Sequence, residues 1–328
     1  MRQEAGGRAK RARGWLPAWA WAVLGLVLAA GLGAAACAPG QGGGDTPTPA
    51  APIETPALAE PQVRQKDGMV MVPVPAGAFP MGSSDAQIQA AVAQCTAGGY
   101  AEADCKSWIG VESPQHSVTL AAFWIDRTEV TNAQYGQCVA DGACPEMACP
   151  DETTVTGDSQ PVVCVNWAGA SAYCAWAGAR LPSEAEWEKA ARGTDGRVYP
   201  WGDSLDAGKA NYCDSRCTYD WKDAGADDGF ASTAPVGSYP DGASPYGVLD
   251  MAGNAWEWVS DWYDAGYYAV SPERNPPGPE SRELRLLRGG CWDNPAGALR
   301  STYRLNSDAE MGLDGFGFRC AASTAPGP

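Results

Sequence analysis

Twelve cysteines, fourteen tryptophans and a single histidine are the residues of this 328-residue sequence whose types and spacing bear most on chemistry. A chain whose only histidine is His116 cannot assemble two or three imidazoles, which removes most histidine-rich zinc and non-haem iron sites. A Ser-His-Asp hydrolase would have to use that residue alone. Its setting, Ser-Pro-Gln-His116-Ser-Val ahead of an expected strand, reads as structural. No Cys-x-x-Cys spacing occurs, so cysteine-based zinc has no support either. Disulfides are the better use of so many cysteines. Cys95 and Cys105 flank a short loop, Cys138 and Cys144 bracket a helix end, Cys149 and Cys164 bracket a loop, and Cys213 and Cys217 share a turn. Cys174, Cys291 and Cys320 remain for one long-range bond and one free thiol, and either Cys174–Cys320 or Cys174–Cys291 satisfies the count. The first would close about 147 residues, worth about 5 kcal/mol by the chain-entropy argument.

Oxygen ligands are the other chemical resource. Asn211, Asp228, Asn254 and Glu257 lie in loop-like motifs without evident basic partners nearby. Calcium takes six to eight oxygens from carboxylates, amides and carbonyls, which irregular loops can offer. Capping of turns is the competing role for Asn254 and Asp228.

Charge and leader bound the setting. With 39 acidic and 23 basic side chains the net charge is −16, which excludes a nucleic-acid binder. Arg2, Arg8, Lys10, Arg11 and Arg13 precede an apolar run from Trp15 to Ala36, the pattern of a secretory signal. The run is also long enough to span a bilayer as a plain anchor. Ala34-Ala35-Ala36-Cys37 resembles a bacterial lipoprotein signal, in which the cysteine is lipidated and becomes the new N-terminus. Cleavage there would leave 18 basic and 38 acidic residues. Ala38 after Cys37, in place of an aspartate, fits sorting to the outer membrane. The expected partners are therefore the membrane, through Cys37, and no nucleic acid. Residues 37–66 read as the lipidated cysteine and a Pro/Ala/Gly-rich disordered tether, 67–323 as one folded domain and 324–328 as a tail.

Few elements are available to position these groups. Capping boxes at Ser84-Asp-Ala-Gln87, Thr131-Asn-Ala-Gln134 and Ser183-Glu-Ala-Glu186 open three helices, stopped near Gly98, Gly142 and Gly193. A fourth runs from about Ala168 to Trp176 and ends at Gly178. Met69 to Val74, Ser117 to Ile125 and Arg285 to Arg288 read as strands, while 194–250 shows neither period.

The string Val165-Asn-Trp-Ala-Gly-Ala-Ser-Ala-Tyr-Cys-Ala-Trp-Ala-Gly-Ala-Arg-Leu-Pro-Ser-Glu-Ala-Glu-Trp-Glu-Lys-Ala-Ala-Arg-Gly resembles the formylglycine-generating enzyme, or sulfatase-modifying factor, family. So do Tyr199-Pro-Trp-Gly202, Tyr246-Gly-Val-Leu-Asp-Met-Ala-Gly-Asn-Ala-Trp-Glu-Trp258, Arg288-Gly-Gly290 and Gly317-Phe-Arg-Cys320, in order over about residues 69–322. The resemblance implies an irregular α+β domain of C-type-lectin-like fold, poor in regular structure. It implies a Cys174–Cys320 disulfide, which leaves Cys291 as the odd thiol. It also implies structural calcium, one site using Asn211 and Asp228 with carbonyls of Tyr212 and Phe230. A second would use Glu257 with carbonyls near Ala252, Gly253 and Ala255.

Enzymes of that family convert a sulfatase cysteine to formylglycine on Cu(I), held by two cysteines spaced five apart after the Gly-Gly motif. Cu(I) prefers such soft thiolates. Here Asn294 and Leu299 fall at those positions, and neither binds Cu(I), so copper is not expected. Cys144 and Cys149 have the spacing but lie in the wrong segment. The iron branch of related oxidases needs several histidines, which His116 alone cannot supply. Cys291 admits three readings: an inert buried residue, a mispaired disulfide partner, or a reactive thiol whose pKa falls if Arg288 and Arg300 face it. The sequence thus leads to an envelope lipoprotein with a non-catalytic peptide- or glycan-binding domain. Its groove would be formed by Trp258, Trp292, Arg288 and Cys291, with Trp256 and Trp262 as further candidates, against core packing as the competing role. The alternative is a copper-dependent formylglycine-generating oxidase that uses Cys291.

Overall fold

The computed structural model describes residues 59–147, 149 and 157–327. The expected signal peptide, the lipidation site Cys37 and most of the tether lie outside the described residues. Local hydrogen bonding explains the helices, which are α1 (Asp85–Ala97), α2 (Glu102–Gly110), α3 (Asn132–Ala140), α4 (Trp167–Trp176) and α5 (Glu184–Arg192). Ser84, Thr131 and Ser183 each accept from the third helical N–H, and Gln87, Gln134 and Glu186 reach back to the cap, so all three capping boxes form. Asn166 caps α4 through Gly169 N. Helix α2 was not expected. Its N-cap, Ala101, has no side chain that can accept, so its start carries no capping signature. The Cys95–Cys105 disulfide ties it to α1.

The strands are β1 (Gln62–Val63), β2 (Val70–Val74), β3 (Gly77–Met81), β4 (His116–Leu120), β5 (Phe123–Asp126), β6 (Trp256–Trp262), β7 (Arg285–Arg288), β8 (Leu305–Ser307), β9 (Phe316–Phe318) and β10 (Ala321–Ala322). They form sheets in the orders β1-β2-β5-β10, β3-β4 and β8-β7-β6-β9. The strand expected over Ser117 to Ile125 divides in two. β4 pairs with β3 and β5 with β2, so the chain changes sheets at Ala121 and Ala122. The folded region also begins before residue 67. Val63 pairs with Val70, and buried Arg64 bridges Asp67 at 2.6 Å and Asp126 at 2.8 Å.

The main core joins Val72, Phe79, Val118, Ile125, Trp187 and Leu286, bringing all three sheets against α5. That helix also buries charge. Glu184 and Glu188, one turn apart, meet Arg304 and Arg288 at 2.6 Å each, and Arg192 closes on Glu188 at 3.0 Å. Buried pairs of this kind are costly to break by removing one partner. Here they clamp α5 to β7 and the segment after it. Cys174 in α4 is bonded to Cys320 between β9 and β10, tying the middle of the chain to its end. Among the described residues, no helix is long and apolar enough to cross a membrane.

Candidate functional site

The irregular region before β6 is held by side-chain amides. Asn254 adopts a left-handed conformation, and its Oδ1 accepts from Asn211 Nδ2 at 3.0 Å and Ala234 N at 2.8 Å. Its Nδ2 donates to Glu129 at 2.9 Å. Gly253 is required beside it, because a Cβ there would strike the Asn211 carbonyl. Asn211 Nδ2 also donates to Ser232 O at 2.9 Å, yet Asn211 Oδ1 is buried without a donor. Nearby, the Asp228 carboxylate accepts from Tyr212 N at 2.8 Å and Phe230 N at 3.0 Å. Burial raises its pKa to about 6, and the Asp214 carboxylate adds to the rise. An orphaned amide oxygen beside carboxylates that would gain from a positive charge fits the oxygen chemistry of calcium. Among the described residues, no three His, Cys, Asp or Glu converge on one point, so a cation there would rest on amide and carbonyl oxygens as well.

Glu257 does not fit that chemistry. It lies on β6, not in a loop, and Arg319 takes both its oxygens, at 2.6 and 2.7 Å. Trp187 Nε1 donates to it as well, at 2.8 Å. The guanidinium already supplies the positive charge a dication would bring. The basic partner lies 62 residues away, which is why the local sequence did not reveal it. The side chains of Ala252 and Ala255 belong to small apolar clusters here, Ala252 with Leu299 and Ala255 with Val163.

Cys291 is free, bonded to no other cysteine and 2% exposed. Its Sγ donates to Asp293 Oδ1 at 3.0 Å. Burial pushes the thiol well above its ordinary pKa, and the Asp293 and Asp314 carboxylates push it further. Burial and the Asp293 contact oppose the reactive-thiol reading. Arg288 and Arg300 do not face it: Arg288 is held by Glu188 and three carbonyls, Arg300 by Glu112 at 2.6 and 2.7 Å. Asn294 turns its Oδ1 to Cys291 N at 3.1 Å, and Leu299 is fully buried among Tyr199, Ala210, Tyr212 and Ala252.

The expected groove is largely core. Trp258, Trp256, Arg288 and Cys291 are buried; Trp258 donates to Val165 O and meets Phe316 edge-on. Trp262 and Trp292 are half-buried. Two half-buried aromatics missed by the sequence reading reach the segment after Cys291 through the backbone of Asp293. Tyr219 and Trp221 stack at 4.6 Å, and Trp221 Nε1 donates to Asp293 O at 2.7 Å. Trp292 Nε1 donates to Asp314 O at 3.1 Å, so both indoles are fixed by their N–H groups and present ring surface. The Tyr-x-Trp spacing in the aperiodic segment just after the Cys213–Cys217 turn was the one available signal.

Comparisons with known proteins agree with this architecture. The sulfatase-modifying factor enzyme 1-like domain profile matches residues 55–324. The formylglycine-generating enzyme of Streptomyces coelicolor is 37% identical over 262 residues, covering 64% of this chain and 81% of that protein. A Bos taurus relative named inactive C-alpha-formylglycine-generating enzyme 2 is 37% identical over 174 residues, covering 51% of this chain and 52% of that one. The structure of PvdO from Pseudomonas aeruginosa superposes with a TM-score of 0.63 at 29% identity, covering 82% of this chain and 99% of that one. The irregular α+β, C-type-lectin-like fold is thereby accounted for, and the chain belongs to the family of the sulfatase-modifying factor enzyme 1-like domain.

Proposed function

We propose that this chain is a lipid-anchored envelope protein whose domain binds a peptide or glycan and has no oxidase activity. The observation that carries the reading is the pair Asn294 and Leu299. One is tied to the Cys291 backbone and the other is packed in an apolar core, where copper chemistry in this family would need two thiolates. The remaining thiol, Cys291, is pushed above its ordinary pKa by burial first and by the Asp293 carboxylate second. A family relative that bears the name inactive supports the same direction. The identity to the Streptomyces enzyme favours the alternative, a copper-dependent oxidase, but one protonated thiol is a poor substitute for a thiolate pair.

The ligand surface is the fixed aromatic set Tyr219, Trp221 and Trp292, whose rings suit sugar or side-chain faces. Structural calcium at Asn211 and Asp228, export by the leader, and anchoring at Cys37 to the outer membrane or envelope complete the proposal. The binding reading is tested by glycan and peptide arrays probed with the full chain. Trp221→Ala with Trp292→Ala is expected to weaken the wild-type ligand about tenfold or more, roughly 1.4 kcal/mol, with an unchanged melting temperature. An array without a saturable ligand, or a double variant that binds like wild type, counts against it.

A further inference from the structure

Arg285 opens β7, six residues before Cys291, and is held unlike the other arginines of the interior. Its guanidinium carbon lies 3.4 Å from the centre of the Trp262 ring and 3.7 Å from that of Trp167. The cation is therefore sandwiched between two indoles, a strong and orienting contact when partly desolvated. Trp167 is itself fixed through its Nε1, which donates to Val259 O at 2.8 Å. One donor of Arg285 is used, Nη1 to Ser260 O at 2.8 Å.

The rest of the fork is unmet. Nε is buried without an acceptor, and Nη2, which is not buried, has none among the described residues. The buried arginines Arg64, Arg192, Arg288, Arg300, Arg304 and Arg319 each hold a carboxylate within 4.0 Å. Half-buried Arg285 holds none. Asp261, whose charge acts on it, makes no ion pair with it. The buried Nε is out of reach of solvent, whereas the open Nη2 end of a guanidinium held without a carboxylate is available to an acceptor from outside.

We propose that Arg285 anchors an oxyanion subsite, separate from the aromatic set of Tyr219, Trp221 and Trp292, that takes a carboxylate, phosphate or sulfate group. Both faces of the guanidinium are covered and Nε is buried, so the anion meets the outer edge, where Nη2 and the remaining hydrogen of Nη1 offer two in-plane donors to two oxygens. The indoles fix the fork before binding, which reduces the ordering that association would otherwise require.

The test is isothermal titration calorimetry on the full chain in non-ionic detergent, with chloride holding the ionic strength constant. N-acetylglycine, inorganic phosphate and inorganic sulfate form three separate arms, for a peptide carboxylate, a phosphate and a sulfate source. Saturable binding in at least one arm is expected, and the tightest arm identifies the source. Arg285→Lys keeps the charge but loses the fork, and is expected to weaken that arm about tenfold or more. Absence of saturation in all three arms up to about 20 mM with the wild-type chain overturns the proposal, whether or not the variant folds. Lysine-variant affinity within about twofold of wild type overturns it as well.

Discussion

A thiol that donates to a carboxylate in a buried site is disfavoured both as a copper ligand and as a nucleophile, since either role needs the thiolate. At Cys291 burial, with the Asp293 contact, disfavours the thiolate, and the buried Leu299 stands where a second ligand would be needed. The identities at 294 and 299 were legible in the sequence because copper ligation depends on residue type. Burial was not. Nothing in a Trp-Glu-Trp string distinguishes a core tryptophan from a groove tryptophan, and Trp258 proved to be core. Glu257 was misread for a related reason, since its counter-charge, Arg319, arrives only when β9 pairs with β6. Asn211 is the residue on which the calcium proposal turns. EDTA is expected to lower the melting temperature of wild type by several degrees, calcium to restore it, and Asn211→Ala to remove the response. A chelator-insensitive wild type would refute calcium at this place.

Among the elements, the helices best legible in sequence were those whose start is marked by a side chain. The three capping boxes and the Asn166 cap form, while α2, entered from Ala101, passed unnoticed because a disulfide and a small apolar cluster hold it. The division of β4 from β5 was marked only by a shift of phase across Ala121 and Ala122, from Val118 and Leu120 to Phe123 and Ile125. Helix α5 carries a consequence for pH. Asp261 is buried at its start and accepts from Glu184 N at 2.9 Å. Burial raises its carboxyl from 3.8 to about 7, and the Glu184 charge adds to the rise. The folded state thus retains a proton that the unfolded chain has released between those values. The stability it contributes is full below about pH 4 and lost as pH rises through about 7. Asp261→Asn is therefore expected to flatten the fall in stability over this window, measured by urea unfolding at each pH. Parallel profiles for variant and wild type would contradict the assignment.

At the scale of the molecule, distant segments are joined by the bond from Cys174 to Cys320, 146 positions apart, and by buried pairs such as Glu112 with Arg300. A loop-rich fold of this kind depends on such links, and the five disulfides among the described residues suggest an oxidising compartment. Export and lipidation at Cys37 supply that setting in the proposed reading. Cys37→Ser is expected to move the protein from the membrane fraction to the soluble or unprocessed fraction of fractionated cells. Retention in the membrane as a processed chain would exclude the lipid anchor.

The central claim is that the family scaffold is kept here without its oxidase chemistry. Its most direct test is incubation of the copper-treated full chain with a Cys-x-Pro-x-Arg peptide under oxygen, followed by mass spectrometry of the peptide. No formylglycine above the level of a Cys291→Ala variant is expected. Formation that exceeds that control and requires Cys291 would contradict the account.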